Sequence, residues 1–336
     1  MSLLSIGDLA NTFLSRRQSA GLKDQMMRLG TELTTGLRSD PGTALRGDYR
    51  PLAAIERSLT ALAAYTSANT EAAGMLGAAQ LALEHVQGLG QGLGTALLAA
   101  GTARDATSIA ATAGEARQSF SAAVAGLNTR YGDRALFGGA ATDRSPLASG
   151  EAMLAELVAV ASGETSAAGI AAAVDAWFDI AGGGFDTMAY RGSASDLGPL
   201  AIAEGESVAI GMRADDTVLR DTLKGFALAA LIAEGVLAGD PDEQAALVAD
   251  AGRRMIANDG DLTGLRADLG AAEARIEAAR ARNASEAAAY DLARVELIGA
   301  DPYQTASELE AVYAQIETLY TVTARIAGLT FTDYMR

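Results

Sequence analysis

The sequence contains no cysteine and only one histidine among its 336 residues. The absence of cysteine excludes disulfides, zinc–thiolate sites and cysteine nucleophiles. The histidine, His85, lies on a predicted helix with no nucleophile or carboxylate at a recognisable spacing, so we interpret it as solvated or packed rather than catalytic. No other residues have the spacing of a catalytic, cofactor or metal site. We therefore predict no enzyme activity, no cofactor and no bound metal.

Positive charge and long apolar runs are also scarce. The chain has 26 Lys and Arg against 42 Asp and Glu, a formal net charge of −16, and its only lysines are Lys23 and Lys224. An acidic surface repels nucleic acid and anionic lipid, and no apolar run approaches the roughly 20 residues that span a bilayer. We expect neither nucleic acid nor a membrane as a partner. The opening MSLLSIGDLANTF has no basic region before an apolar stretch, which predicts no cleaved secretory signal peptide.

Aromatic residues make up 5% of the chain, whereas hydrophobic residues make up 49%, many of them alanine. Small side chains suit thin helical bundles. Apolar residues at three- and four-residue spacings predict helices near 1–36, 51–99, 104–131, 150–180 (two short helices), 215–238, 242–258, 261–299 and 303–329. The remaining patterns predict a small turn or hairpin at 131–147, and a β region at 186–214 with a turn at Glu204-Gly205.

Several polar residues mark the expected helix ends and registers. Asp240 and Asp301 each precede a proline, which predicts N-caps. The NDGD motif that ends at Asp261 predicts a turn between two helices, with Asp261 as the second N-cap. The helix that follows has an apolar seam interrupted by Asn283 and Glu286, and polar seam residues weaken a coiled coil but set its register.

The arrangement of these helices is symmetrical along the chain. We predict a mainly α fold with long terminal coiled-coil helices, an inner helical bundle, a small β-hairpin region and discontinuous domains. The expected domains are a terminal assembly domain (1–40 with 300–336), an inner rod (41–147 with 186–299) and a short helical outer insert (148–185). Trp177 is expected to anchor the core of the insert rather than bind a ligand.

Both terminal helices carry a seven-residue apolar repeat. Such seams pack against another helix, either in the same chain or in a second copy. Because the domains behind them are complete without them and both lie at chain ends, we favour contacts with other copies. The candidate interface residues are Leu22, Met26, Leu29, Leu33, Leu309, Val312, Ile316, Leu319, Ile326 and Leu329.

Several segments resemble one known family. DLGAAEARIEAARARNASEAAAYDLARVELIGADPYQTASELEAVYAQIETLYTVTARIAGLTFTDYMR (268–336) resembles the C-terminal region of the flagellin family, and ELTTGLRSDPG (32–42) resembles its N-terminal counterpart. RALFGG, within LNTRYGDRALFGGAATDRSPL (127–147), is similar to a segment of the hook–filament junction proteins of that family. MAYRGS (188–193) and LAIAEGESVAIGMRADD (200–216) are similar to their central β segment.

This resemblance implies a structural subunit of the bacterial flagellum. It implies type III export without a cleaved signal peptide, an extracellular location, and a ring of copies between hook and filament. The implied partners are other copies of the chain, the neighbouring hook-associated protein, flagellin, and an export chaperone that covers the seam from Leu309 to Leu329 before secretion.

Two other interpretations stay open. A short filament flagellin would polymerise alone, because a head-to-tail interface need not close. A soluble acidic helical enzyme or ligand-binding protein would have a defined pocket near His85 or Trp177.

Overall fold

The computed structural model describes residues 6–42 and 44–328, with side chains described from 13 to 42 and from 44 to 325. The chain is 73% helical, which confirms the mainly α prediction. The helices are α1 (Ile6–Thr35), α2 (Arg50–Gly90), α3 (Leu93–Ala103), α4 (Ala106–Leu127), α5 (Gly150–Ala161), α6 (Ala167–Asp179), α7 (Thr217–Ala233), α8 (Pro241–Ile298) and α9 (Pro302–Gly328).

The described strands form two small antiparallel hairpins. β1 (Arg130–Tyr131) pairs with β2 (Arg134–Ala135), and β3 (Leu200–Ala203) pairs with β4 (Glu206–Val208). The second hairpin turns at Gly205, which has a φ of 69° that glycine adopts without strain. The β prediction was wrong around residue 187, where Phe185–Ala189 forms a single π-helical turn. Phe185 and Ala189 are buried whereas Thr187 between them is exposed, which differs from a strand, where all three would share one face.

α8 is one continuous helix, so the prediction of a turn at NDGD was wrong. The polar side chains of this motif bind neighbouring helices instead of capping a new one. Asn258 donates from its amide to Thr222 Oγ1 at 2.8 Å, and Gln87 donates to Asp259 Oδ1 at 3.0 Å. The expected N-cap, Asp261, therefore lies in the middle of the helix. The other two predicted caps are confirmed.

Asp240 and Asp301 begin α8 and α9 as expected. The Asp240 carboxylate accepts a hydrogen bond from the Glu243 backbone N–H at 3.1 Å. The Asp301 carboxylate accepts one from the Tyr303 N–H at 2.9 Å. Each aspartate thus satisfies a backbone donor that has no partner within the helix.

The chain divides into two compact units. We call residues 64–283 the inner unit, and residues 1–63 with 284–336 the terminal unit. α2 and α8 run through both units. The inner unit has a large core that includes five fully buried phenylalanines, Phe120, Phe137, Phe178, Phe185 and Phe226. The three-part domain boundaries given above stay a prediction.

The insert contributes an aromatic cluster to this core. Trp177 is 6% exposed, and its ring lies edge-on to Phe178 with 4.8 Å between ring centroids. Phe185 stacks on Phe178 at 5.4 Å. These contacts place Trp177 in the core of the insert, as the sequence indicated.

Two asparagines hold the β3–β4 hairpin on the long helices. Asn69 of α2 and Asn283 of α8 both donate to the Ile202 carbonyl, at 2.9 and 2.8 Å. Asn283 is buried, as predicted for a seam residue, whereas Glu286 is exposed and lies outside the seam. A buried amide that must find this one carbonyl fixes the register of α8 against the hairpin.

An ion cluster around the buried Lys224 ammonium joins the insert to α7 and α8. The Lys224 ammonium is 6% exposed and contacts Asp221 at 2.6 Å and Asp179 at 2.7 Å. Arg254 binds Asp175 through two parallel hydrogen bonds of 2.6 and 2.9 Å. Burial alone would lower the pKa of Lys224, but the hydrogen bonds to Asp179 and Asp221 outweigh it and raise the pKa above its usual value.

Candidate assembly surface of the terminal unit

The terminal unit pairs α1 with α9 of the same chain. The ends of the two helices meet through main-chain hydrogen bonds, from Arg38 N to Ile298 O at 2.8 Å and from Ala300 N to Gly36 O at 2.9 Å. Farther along, the Tyr320 hydroxyl hydrogen-bonds to Lys23 and Ser19. The start of α9 therefore lies beside the end of α1, and the helices are antiparallel.

The apolar seam lies between these two helices. Leu22, Leu29 and Val312 are buried there, at 8%, 2% and 2% exposure. Four more of the predicted seam residues pack against them, namely Met26, Leu309, Ile316 and Leu319. The structure thus brings together seven of the ten candidate interface residues within one chain. A role for them in contacts between copies stays a prediction.

The other three candidates are placed differently. Leu33 is 41% exposed and lies outside the buried cluster. Leu329 and the side chain of Ile326 lie outside the described residues.

A second small cluster closes the terminal unit beyond the helix pair. Leu45, Leu52 and Ile298 are buried together, and Leu37 and Leu297 pack against them. The sequence analysis missed this cluster because the segment after SDPG has no periodic pattern. Leu45 and Leu52, which lie on either side of the turn before α2, are the sequence feature that could have indicated this cluster.

The outer sides of both helices remain exposed. On α1, Phe13 is 67% exposed and Met27 is 59% exposed. On α9, Tyr313 is 54% exposed, and Tyr320, whose hydroxyl reaches α1, is 52% exposed. The sequence analysis missed these residues, although Phe13 and Met27 are two heptads apart and so share one side of α1.

Charge differs between the two helices. Within residues 13–35, α1 carries Arg16, Arg17, Lys23 and Arg28 against Asp24 and Glu32. Within residues 302–325, α9 carries Glu308, Glu310 and Glu317 against Arg325. The hydrogen bond from Lys23 lowers the pKa of Tyr320, because a nearby cation favours the phenolate.

The residues that could support an enzymatic interpretation are not arranged as a catalytic site. His85 is exposed on α2, and Trp177 is buried in the insert. Among the described residues, no three or more histidine or acidic side chains are grouped so that they could hold a metal ion. None of the helices in this part of the chain is both long and apolar enough to cross a membrane.

A cavity of about 220 Å³ lies in the inner unit at the break between α2 and α3. Several of its polar lining groups are hydrogen-bonded to one another. Gln87 donates to Asp259 Oδ1 at 3.0 Å, and Asn258 donates to Thr222 Oγ1 at 2.8 Å. Gln87 also accepts a hydrogen bond from Arg266 at 2.7 Å.

The comparisons with known proteins point to the flagellum. Residues 258–334 match the family model described as the bacterial flagellin C-terminal helical region. The fold is similar to that of a provisionally assigned flagellar hook-associated protein from Vibrio parahaemolyticus, with a TM-score of 0.52 and 16% identity over 77% of this chain and 99% of that chain. No curated protein matches the sequence significantly. This chain therefore carries a flagellin-type C-terminal helical region and shares its fold with a flagellar hook-associated protein.

Proposed function

We propose that this chain is a structural subunit of the bacterial flagellum, a hook–filament junction protein of the kind called hook-associated protein 3. Its copies would form a ring between the hook and the flagellin filament. The observation that carries the proposal is the flagellin match at 258–334, which falls on the later part of α8 and on α9. A structural role needs no catalytic centre, in keeping with the arrangement of His85 and Trp177.

The junction role, rather than that of a filament flagellin, is supported by the RALFGG segment and by the hook-associated neighbour. RALFGG (134–139) begins with β2 of the first hairpin and is largely buried. The Phe137 side chain is fully buried, and its carbonyl accepts a hydrogen bond from Ala214 N at 2.9 Å. The segment thus joins the first hairpin to the chain that follows β4.

Export and the chaperone belong to the same proposal. The chain would pass unfolded through the type III channel and be placed outside the cell. A chaperone would cover the seam from Leu309 to Leu329. In the folded chain α1 already covers the described part of that seam, so the chaperone would bind before α1 and α9 pair.

The proposal is tested by adding the purified chain to isolated hooks. We expect it to bind hook ends, to form no long filaments alone, and to allow filament growth when flagellin is added afterwards. Electron microscopy detects hook binding and filament growth. Hooks that receive flagellin without this chain are the control.

Two results would contradict the junction role. Long filaments formed by the chain alone would instead identify a short flagellin. If the chain neither bound hooks nor polymerised, the interpretation as an acidic helical enzyme or ligand-binding protein would gain support.

A further inference from the structure

Two faces of the terminal unit point away from the α1–α9 seam. We call Phe13, Arg16, Arg17, Ala20, Asp24, Met27 and Arg28 the basic face of α1. We call Glu310, Ala311, Ala314, Glu317, Thr318 and Thr321 the smooth face of α9. Three- and four-residue steps place each set along one side of its helix. All of these residues are exposed.

The basic face is bulky and the smooth face is flat. Phe13 and Met27 project from α1 with more than half of their surface exposed. On α9, the Thr318 and Thr321 hydroxyls donate to carbonyls of their own helix, at 2.8 and 2.9 Å. Their methyl groups therefore lie among the small side chains of this face, which lets another helix approach closely.

The two faces also carry opposite charge. The basic face has three arginines, with Asp24 as the one acid among them, whereas the smooth face has two glutamates. Within the described residues, no ion pair joins α1 to α9, and neither Arg28 nor Glu310 nor Glu317 has an ion-pair partner. These charges are available to a second molecule.

We infer that copies of this chain meet head to tail, with the basic face of one copy on the smooth face of the next. This inference rests on the proposed function and specifies which surfaces meet. The occupant is a second copy because the two faces of one chain complement each other in size and charge. An interface between two different faces can close into a ring.

The register follows from the contact inside each copy. The main-chain hydrogen bond from Ala300 N to Gly36 O sets these two residues level, so nine residues in an antiparallel pair lead to Met27 on α1 and to Leu309 on α9. In a neighbour at the same height, Met27 would lie over Ala311, which is on the smooth face near the level of Leu309. Arg28 would then lie next to Glu310.

Engineered cysteines test this register, since the chain has none of its own. In the variant Met27→Cys/Ala311→Cys, the two thiols lie on opposite outer faces of one copy and cannot pair within it. Under mild oxidation of the concentrated protein, we expect a ladder of dimers, trimers and larger species on a denaturing gel. The two single-cysteine variants are the matched controls and should give dimers at most.

Charge reversal gives an independent test. Arg28→Glu should raise the concentration needed for the ladder at least about tenfold. Adding Glu310→Arg to the same chain should restore the ladder at the wild-type concentration. Arg57→Glu, on an exposed part of α2, changes the net charge equally and should have no effect. Circular dichroism confirms that each variant is folded.

The outcomes separate this inference from the proposed function. If the wild-type chain binds hook ends but the double-cysteine variant gives no more than its controls, the head-to-tail contact is refuted and the junction role stands. A ladder without hook binding supports the contact and refutes the junction role.

Discussion

The pairing of α1 with α9 can be tested through Leu29, which is 2% exposed in the seam. Leu→Ala changes in protein cores cost about 2–5 kcal/mol, and more where the site cannot relax. This seam lies between two helices whose outer sides face solvent, so we expect the lower end, about 2–3 kcal/mol. Since about 1.4 kcal/mol is a factor of ten, amide exchange in α1 and α9 should accelerate roughly 30- to 150-fold.

Hydrogen exchange with mass spectrometry on the monomer measures this effect. Peptides from the inner unit should be unchanged, because their core lies elsewhere. Leu33→Ala is the matched control, since Leu33 is on the same helix but is 41% exposed. It should cost less than about 1 kcal/mol.

Two results would refute the reasoning. Equal exchange in Leu29→Ala and the wild-type chain would mean that the seam does not hold the pair. Immediate exchange of α1 and α9 in the wild-type monomer would mean that the helices wait for other copies, as the sequence analysis favoured.

Three further changes test other contacts. Ile316→Asp puts a charge in the seam and should abolish hook binding while leaving the inner unit folded, which electron microscopy and inner-unit amide exchange would show. Asn283→Ala removes one donor to the Ile202 carbonyl and should cost about 1 kcal/mol in urea unfolding and speed exchange in β3–β4; unchanged exchange would contradict this role. Lys224→Met removes the buried cation from carboxylates that are 35–45% exposed and can still be solvated, so it should cost about 1.5–3 kcal/mol at neutral pH. Because the folded-state pKa of Lys224 is raised, its stabilisation is present below its usual pKa of 10.5 and is lost as pH rises through the raised value, so the difference from wild type should shrink in strong alkali.

The sequence predicted the helices well because their apolar periodicity is local. It placed the Glu204-Gly205 turn and the caps at Asp240 and Asp301, where a few neighbouring residues decide the structure. It misplaced Asp261, since the groups that let α8 continue through NDGD come from α2 and α7, which are far away in sequence. The π-helical turn at Phe185 was missed for the same reason, because the core selects it.

The candidate site was predicted in part. A heptad repeat identifies which side of a helix is buried, but it does not identify the partner. The sequence therefore found Leu22, Leu29 and Val312 but left their partner open, and the structure places them against each other. The outer faces were missed because Ala311 and Ala314 have no distinctive pattern. Only the pairing of α1 with α9 shows that these residues lie on the side of α9 opposite the seam.

The two units differ in how much apolar surface stabilises them, and this difference fits the proposed export of the chain in an unfolded state. Among the described residues, the seam buries three side chains, each worth about 1.5–3 kcal/mol. The α1–α9 pair should therefore open before the inner unit does, which would give the proposed chaperone access to the seam and let neighbouring copies lower the free energy of the pair. The inner unit, with five fully buried phenylalanines, should stay folded while the terminal unit opens.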